Sequence, residues 1–306
     1  MPELSVCIPT YNYGRFLPKT IESVMRQGLH DFEIVISDNA SQDGTEAVVK
    51  ALDNKHIRYF RNEINLGPHE NSRRCLAYAQ GKYIKFLCAD DVLLDGVLLK
   101  QLEILRHRPG VALVTCDLLI TDSELHVERT LRFFPGSCSG SRVINACLSG
   151  LINYVGGPSN IMFRRANSAG LPFDDTYHGL ADLKLNLHLL HCGDYVNIDE
   201  AGYLYRRHPN SDSEISVTRQ ISRAEPLRLI EEYNWWNPLS CLKVMRLHRA
   251  EGWHQVRKHW RQACMPIQLL KAFTAAPDVL RMYIRNTYDF RNPTHRKQQT
   301  RTPVAS

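Results

Sequence analysis

Asp90 and Asp91 stand side by side directly after Tyr83-Ile84-Lys85-Phe86-Leu87-Cys88-Ala89, a short apolar run of strand length. In an open parallel sheet, ligands bind just beyond the carboxyl ends of the strands, so paired acids there face the ligand crevice. The plainer role is a solvated turn, with Asp91 capping the helix that follows. Two earlier apolar runs also end in polar residues: Leu4 to Ile8 in Pro9, Thr10, Tyr11 and Asn12, and Glu33 to Ser37 in Asp38 and Asn39. The first strand-to-helix loop lacks G-x-G-x-x-G, and G-x-x-x-x-G-K-[ST] occurs nowhere. A bound nucleotide would therefore have carboxylates at its base and ribose, and a divalent ion between the acids and its pyrophosphate, because like charges in a partly dry cleft repel.

Positioning three strand ends together takes a parallel sheet. Leu17, Ile21, Val24 and Met25 have the spacing of one buried helix face. The turn formers Asp38 to Thr45 precede a second helix, Ile57 to Phe60 forms a third strand, Glu70 to Ala79 a third helix, and Tyr83 to Leu87 the fourth strand. Strands separated by helix-length segments imply right-handed crossovers and a mostly parallel α/β sheet. Further on, Asp182 opens the segment Leu183 to Leu190, which reads as a helix ending at Gly193. An N-cap is the plain role for that Asp.

The chain of 306 residues, 43% apolar and 23% charged, has room for one large α/β domain and an appendage. No stretch approaches the roughly 20 apolar residues that span a bilayer, and Met1-Pro2-Glu3-Leu4 enters a strand without a leader pattern, so a cytoplasmic protein is expected. Nine cysteines without a C-x-x-C pair fit neither a disulfide framework nor a zinc ribbon. The net charge of +6 is uneven: from Glu225 onward there are 14 Lys and Arg against 6 Asp and Glu. Basicity confined to the C-terminal quarter argues against a nucleic-acid-binding core and for a tail that meets an anionic surface.

Pro9-Thr10-Tyr11-Asn12, Ser37-Asp38-Asn39-Ala40-Ser41 with Asp43-Gly44-Thr45, Asn65-Leu66-Gly67 and Phe86-Leu87-Cys88-Ala89-Asp90-Asp91 follow one another in an order that resembles the motif series of family 2 glycosyltransferases of the GT-A fold. The resemblance continues through Gly157-Pro158-Ser159-Asn160, Ala181-Asp182 and Tyr205-Arg206-Arg207-His208-Pro209, over roughly the first 215 residues. It implies that Pro9, Thr10, Tyr11, Asn12, Asn65, Asp90 and Asp91 border the nucleotide and that Asp38 accepts hydrogen bonds from its base. Asp90 then holds Mn2+ or Mg2+ on the diphosphate, His208 reaches the metal or the diphosphate, and Arg206 or Arg207 neutralises phosphate charge. Ser159 and Asn160 belong to the donor-sugar or acceptor pocket, and Asp182 is the catalytic base. Two usual acids are replaced, the first of the D-x-D motif by Cys88 and the one before the base by Ala181.

The expected function is an inverting, metal-dependent transfer from a nucleotide-diphospho-sugar, a UDP-sugar, to a glycan or lipid-linked acceptor. The expected organisation is a catalytic domain over 1–216, with a nucleotide half to about 117 and an acceptor half over 118–216, then a helical annex over 217–295 and a disordered tail over 296–306. Val244, Leu247, Trp253, Val256 and Trp260 suggest helices in the annex, and Val279, Met282 and Tyr283 another. The annex either packs on the catalytic domain or meets the cytoplasmic membrane face, where Trp with Lys and Arg favours an interface. Two other classes fit part of the pattern. One is a nucleotide-sugar-binding protein of this fold without turnover; the other is a phosphoryl-transfer enzyme using an aspartate pair.

Overall fold

Leu4, Val6 and Ile8 alternate with Ser5 and Cys7, and the period of two sends them to opposite faces of strand β1 (Leu4–Thr10). A computed structural model of the chain describes residues 1–173, 175–209, 211, 225–235, 237–242, 244, 259, 263 and 265–291. After β1 come α1 (Leu17–Met25), β2 (Phe32–Asp38), α2 (Thr45–Ala51), β3 (Ile57–Arg61), α3 (Pro68–Tyr78) and β4 (Tyr83–Phe86). Next are β5 (Val92–Leu93), α4 (Val97–His107), β6 (Val111–Thr121), β7 (Val127–Leu131), β8 (Ser137–Ser139) and α5 (Gly140–Gly150). Then follow β9 (Met162–Arg164), α6 (Ala181–His191), β10 (Asp194–Arg206), α7 (Glu225–Glu232) and α8 (Pro266–Arg291).

One sheet carries these strands in the order β3-β2-β1-β4-β9-β6-β10-β5, with β7 on β6 and β8 on β10. The first four strands are parallel, as are β6 and β10. Because β1, β2 and β4 run the same way, their carboxyl ends share one edge, and Thr10 lies in register with Asp38. The antiparallel β9 joins β4 to β6. The sheet thus runs unbroken through the boundary expected near residue 117, which falls inside β6.

Two apolar layers cover the sheet. Leu4, Val6, Ile8, Ile34 and Ile36 pack with Leu17, Ile21 and Val24 of α1 and Leu98, Leu102 and Leu105 of α4. On the other face Cys7, Val35, Ile84 and Phe86 meet Cys75 of α3, Val143 and Cys147 of α5, and Leu183 and Leu187 of α6. Gly81 lets β4 come against β1: a Cβ there would meet the Ser5 nitrogen at 2.5 Å.

Asp91 does not cap a helix. The chain first forms β5, which pairs antiparallel with β10 (Leu93 with Tyr203, Val92 with Leu204), and α4 begins only after the left-handed Gly96. That pairing brings the end of β10, and His208 just beyond it, to the acids after β4.

Of the annex expectations, Val244, Val279 and Met282 fall on described residues. Val244 packs with Ile230 and Cys241, and Met282 is buried. Leu247, Trp253, Val256, Trp260, the Tyr283 side chain and the tail 296–306 lie outside the described residues. Helix α8 packs on α5 through a bidentate Arg142–Asp278 pair (2.8 and 2.7 Å) and Asn145 bonds to the Lys271 carbonyl and Thr274. No disulfide forms among the described residues, and none of their helices is long and apolar enough to cross a membrane.

Candidate functional site

Four buried polar atoms without a protein partner lie at this strand edge and the chain end that joins it: Thr10 Oγ1, Asp91 Oδ2, Arg206 Nη2 and His208 Nδ1. Buried polar groups are nearly always hydrogen-bonded, so a cluster of unmet donors and acceptors marks a place built to meet something else.

Asp90 Oδ2 and His208 Nε2 meet in a buried hydrogen bond of 3.0 Å. Adjacent ligands of an octahedral ion with bonds near 2.1 Å are about 3 Å apart, so the pair has the separation for one divalent cation. Ligand atoms of Cys88, Asp90 and Asp91 all lie within 4.8 Å of one another. Burial and the charges of Asp91 and Asp90 push the Cys88 thiol well up, so it stays protonated. Carboxylate and imidazole donors suit Mn2+ or Mg2+, and the residues present fit such an ion. Tyr13 and Phe16 fix the His208 ring, at 5.6 and 4.8 Å between centroids.

Arg206 locks the acids in place. Its backbone N–H donates to Asp91 Oδ1 (3.2 Å), its Nε to the Asp90 carbonyl (2.9 Å) and its Nη1 to the Ser123 carbonyl (2.7 Å), while Nη2 keeps its donors unspent. Burial, with the Asp90 charge second, pushes the Asp91 carboxyl well above the usual range. Ser159 accepts the Cys88 N–H at 2.8 Å and so shapes the same loop. Asn160 faces the interior, where its amide donates to the Val155 carbonyl and accepts from the Cys116 N–H. Arg207 points outward, half-exposed, with Glu128 at 3.6 Å.

The other side of the edge is held by short polar links. Asp38 is fully buried and accepts from the Ser41 N–H (2.8 Å) and the Tyr59 hydroxyl (2.5 Å). Asn39 donates to Asn65 (2.8 Å) and the Gly67 carbonyl and accepts from Asn62 and Leu66, tying β2 to the Asn65 loop. Asn12, left-handed at φ 58°, accepts the Gln42 N–H and donates its own to Ser41. Tyr11 beside it leaves 42% of its surface exposed, an open aromatic next to Pro9 and Thr10.

Asp182 is the second residue of α6, exposed at the helix start. The N-cap is Leu180, so the capping role expected as its alternative is not the one it has. A Cβ on Gly157 would sit 3.5 Å from Asp182 Oδ2, which puts this carboxylate against the Gly157-Pro158-Ser159 turn and on the same side as Cys88.

Glu225 of α7 was invisible to sequence reasoning. Its buried carboxylate accepts three successive N–H groups, from His178 (2.9 Å), Gly179 (3.3 Å) and Leu180 (2.8 Å), and so fixes the turn from which α6 and Asp182 start. Glu232 adds bonds from Tyr177 (2.8 Å) and Lys184 (3.1 Å), and Arg228 one to the Thr176 carbonyl. No motif signals such a residue, since its partners are backbone groups. Glu225→Gln keeps one acceptor oxygen for three donors. It is expected to cost about 1–3 kcal/mol, the desolvation penalty of an unmet donor, seen as a lowered unfolding midpoint, with Glu225→Asp intermediate. An unchanged midpoint for Glu225→Gln would contradict this bracing.

Lys85 was hidden in a run read as apolar. It is fully buried behind the acids, Nζ donates to Gln101 (3.2 Å), and burial pushes the amine down to about 8 against the pull of Cys116 and Asp91. A folded value below the unfolded one near 10.4 means that the unfolded chain binds the extra proton. Stability therefore rises with pH between about 8 and about 10.4. Chemical denaturation of metal-free protein across that window should give a steeper rise for wild type than for Lys85→Met; parallel curves would refute it.

A family model described as "Glycosyl transferase family 2" matches residues 5–167. The chain is 43% identical over 101 residues to a GalNAc(5)-diNAcBac-PP-undecaprenol beta-1,3-glucosyltransferase of Campylobacter jejuni, covering 32% of this chain and 33% of that protein. It is 31% identical over 198 residues to the abequosyltransferase RfbV of Salmonella typhimurium, covering 58% and 57%. These matches take in less than two thirds of either relative's length. Among solved structures, S. aureus TarS 1-349 in complex with UDP-GlcNAc has a TM-score of 0.58 at 15% identity over 92% of this chain and 81% of that one. The mannosyltransferase PcManGT from Pyrobaculum calidifontis, in complex with GDP-Man and Mn2+, has a TM-score of 0.54 at 15% identity over 94% and 88%. At that identity the likeness is one of fold.

Proposed function

The chain belongs to glycosyl transferase family 2, and on that premise we propose that it moves a sugar from a nucleotide-diphospho-sugar, a UDP-sugar, to a hydroxyl of a glycan or lipid-linked acceptor, inverting the anomeric carbon. The observation that carries the reading is the gathering of Asp90, Asp91, Arg206 and His208, with their unmet buried atoms, at the edge that also holds Thr10, Tyr11 and Asp38. The undecaprenol in the name of the Campylobacter relative supports a lipid-linked acceptor, and the teichuronic acid biosynthesis in the name of a Bacillus subtilis relative supports a place in cell-envelope polysaccharide synthesis.

In this reading Pro9, Thr10, Tyr11, Asn12 and Asn65 border the base and ribose. Asp38 retains lone pairs for the base beyond the two bonds it accepts. Asp90 and His208 would hold Mn2+ or Mg2+, and the ion would supply positive charge that stabilises the departing diphosphate. The unspent Nη2 of Arg206 suits a phosphate oxygen. Ser159 sets the loop of the acids, Asn160 supports it from behind, and Arg207 stands at the mouth.

Asp182 takes the proton from the acceptor hydroxyl as that oxygen bonds the anomeric carbon and the bond to the diphosphate breaks. A carboxylate is a weak base, with a reference pKa near 3.9, yet it serves because the hydroxyl becomes acidic only as the new bond forms.

A panel of nucleotide-sugars with Mn2+, read by thermal shift and donor hydrolysis, tests the reading. One UDP-sugar is expected to raise the unfolding midpoint and to be slowly hydrolysed. A panel with no metal-dependent shift would overturn the donor assignment. A shift without hydrolysis or transfer would favour a binding protein, the alternative that Cys88 in place of an acid suggests.

A further inference from the structure

Helix α8 turns apolar side chains in both directions. Its inner face buries Ala272, Ala275 and Met282 and is pinned by the Arg142–Asp278 pair. Its outer face leaves Phe273 75% exposed and Ile267, Leu270 and Leu280 between 58 and 61%, with Met265 exposed just before the helix. Positions 267, 270, 273 and 280, with exposed Pro277 between, follow a three- to four-residue spacing and so form one stripe. The outward side of a surface helix is ordinarily polar. Of the eleven exposed large apolar residues among the described ones, five lie on or next to this helix, and Leu242 adds a sixth in the annex.

We propose that the outer face of α8 docks on an anionic lipid surface, the helix lying in the headgroup plane with Ile267, Leu270, Phe273 and Leu280 inserted. Charge selects this occupant over others. The chain from Glu225 onward carries 14 Lys and Arg against 6 Asp and Glu, whereas the preceding residues carry 24 against 26. Exposed Arg281 borders the stripe. An amphipathic helix with cationic flanks gains from both burial of its apolar stripe and attraction to anionic headgroups. The described helices include none that could span instead. The proposal does not depend on the donor assignment, and its test reads no turnover.

The experiment is flotation of the full chain with vesicles of phosphatidylcholine, alone or mixed with phosphatidylglycerol, at low and high salt. Wild type should float with the mixed vesicles at low salt and be released by salt. The Leu270→Glu/Phe273→Glu variant should partition roughly tenfold less or weaker while unfolding at the wild-type temperature in solution. Wild type that ignores the mixed vesicles overturns the proposal, as does a double variant that floats equally well. A lowered unfolding temperature for the variant would assign the face to another segment of this chain, and a dimer that the variant dissociates would assign it to a second copy; either result also overturns it.

Discussion

Asp182→Asn is expected to lower acceptor-dependent transfer by roughly 10²- to 10⁴-fold, the range for removing a general base, with donor affinity unchanged. Asn matches Asp in size and in capping ability, so the substitution isolates proton acceptance. Leu180, not Asp182, is the N-cap, and Glu225 takes the N–H groups of the turn before the helix. The check is a pair of values on one preparation, turnover with acceptor and affinity for the UDP-sugar. Near-normal turnover in the variant would remove Asp182 from the mechanism. The search would then pass to Asp175, since Asp174 lies outside the described residues.

The strands of the first half were legible because each carries its own pattern. Leu4, Val6 and Ile8 alternate, the turn formers after Asp38 mark a boundary, and Leu17, Ile21 and Val24 mark the buried face of the helix between the first two strands. Two of the strands that complete the sheet carry no such signal, although β6 is itself a long, mostly apolar run. Val92–Leu93 is two residues long and Met162–Arg164 three, and each exists only because a partner distant in the chain offers unpaired backbone groups. In β10 the exposed Asp199 and Glu200 interrupt the alternation where its register against β6 shifts.

The candidate site divides along the same line. Asp90 and Asp91 were visible from their place after an apolar run, whereas their meeting with His208 and Arg206 follows from β5 pairing with β10. Only the family resemblance suggested it beforehand. Glu225 and Lys85 were out of reach for opposite reasons. One serves backbone groups that have no sequence identity, and the other is a charge within a strand whose remaining residues are apolar.

Asp90→Asn should abolish the metal-assisted part of UDP affinity and leave the fold intact. Asn keeps the shape of Asp but not the negative charge that a divalent ion requires. Loss of even an outer partner of a metal ligand typically costs 10- to 100-fold in metal affinity, so at least about that much is expected for a direct ligand. Calorimetry with UDP should give tighter binding in Mn2+ than in chelator for wild type and equal, weak binding in both for the variant. Because Asn retains an oxygen for the hydrogen bond with His208 Nε2, and Arg206 is bonded to the backbone carbonyl rather than the side chain, the unfolding midpoint should move little. Metal-dependent affinity that survives the substitution would take Asp90 out of the site.

Anomalous diffraction from crystals grown with UDP and Mn2+ tests directly whether the carboxyl edge of β1, β2 and β4 is the donor site. The predicted result is a manganese peak within bonding distance of Asp90 Oδ2 and His208 Nε2, with the nucleotide base beside Tyr11 and Asp38. A manganese peak or a nucleotide bound elsewhere on the molecule, with this edge empty, would contradict it.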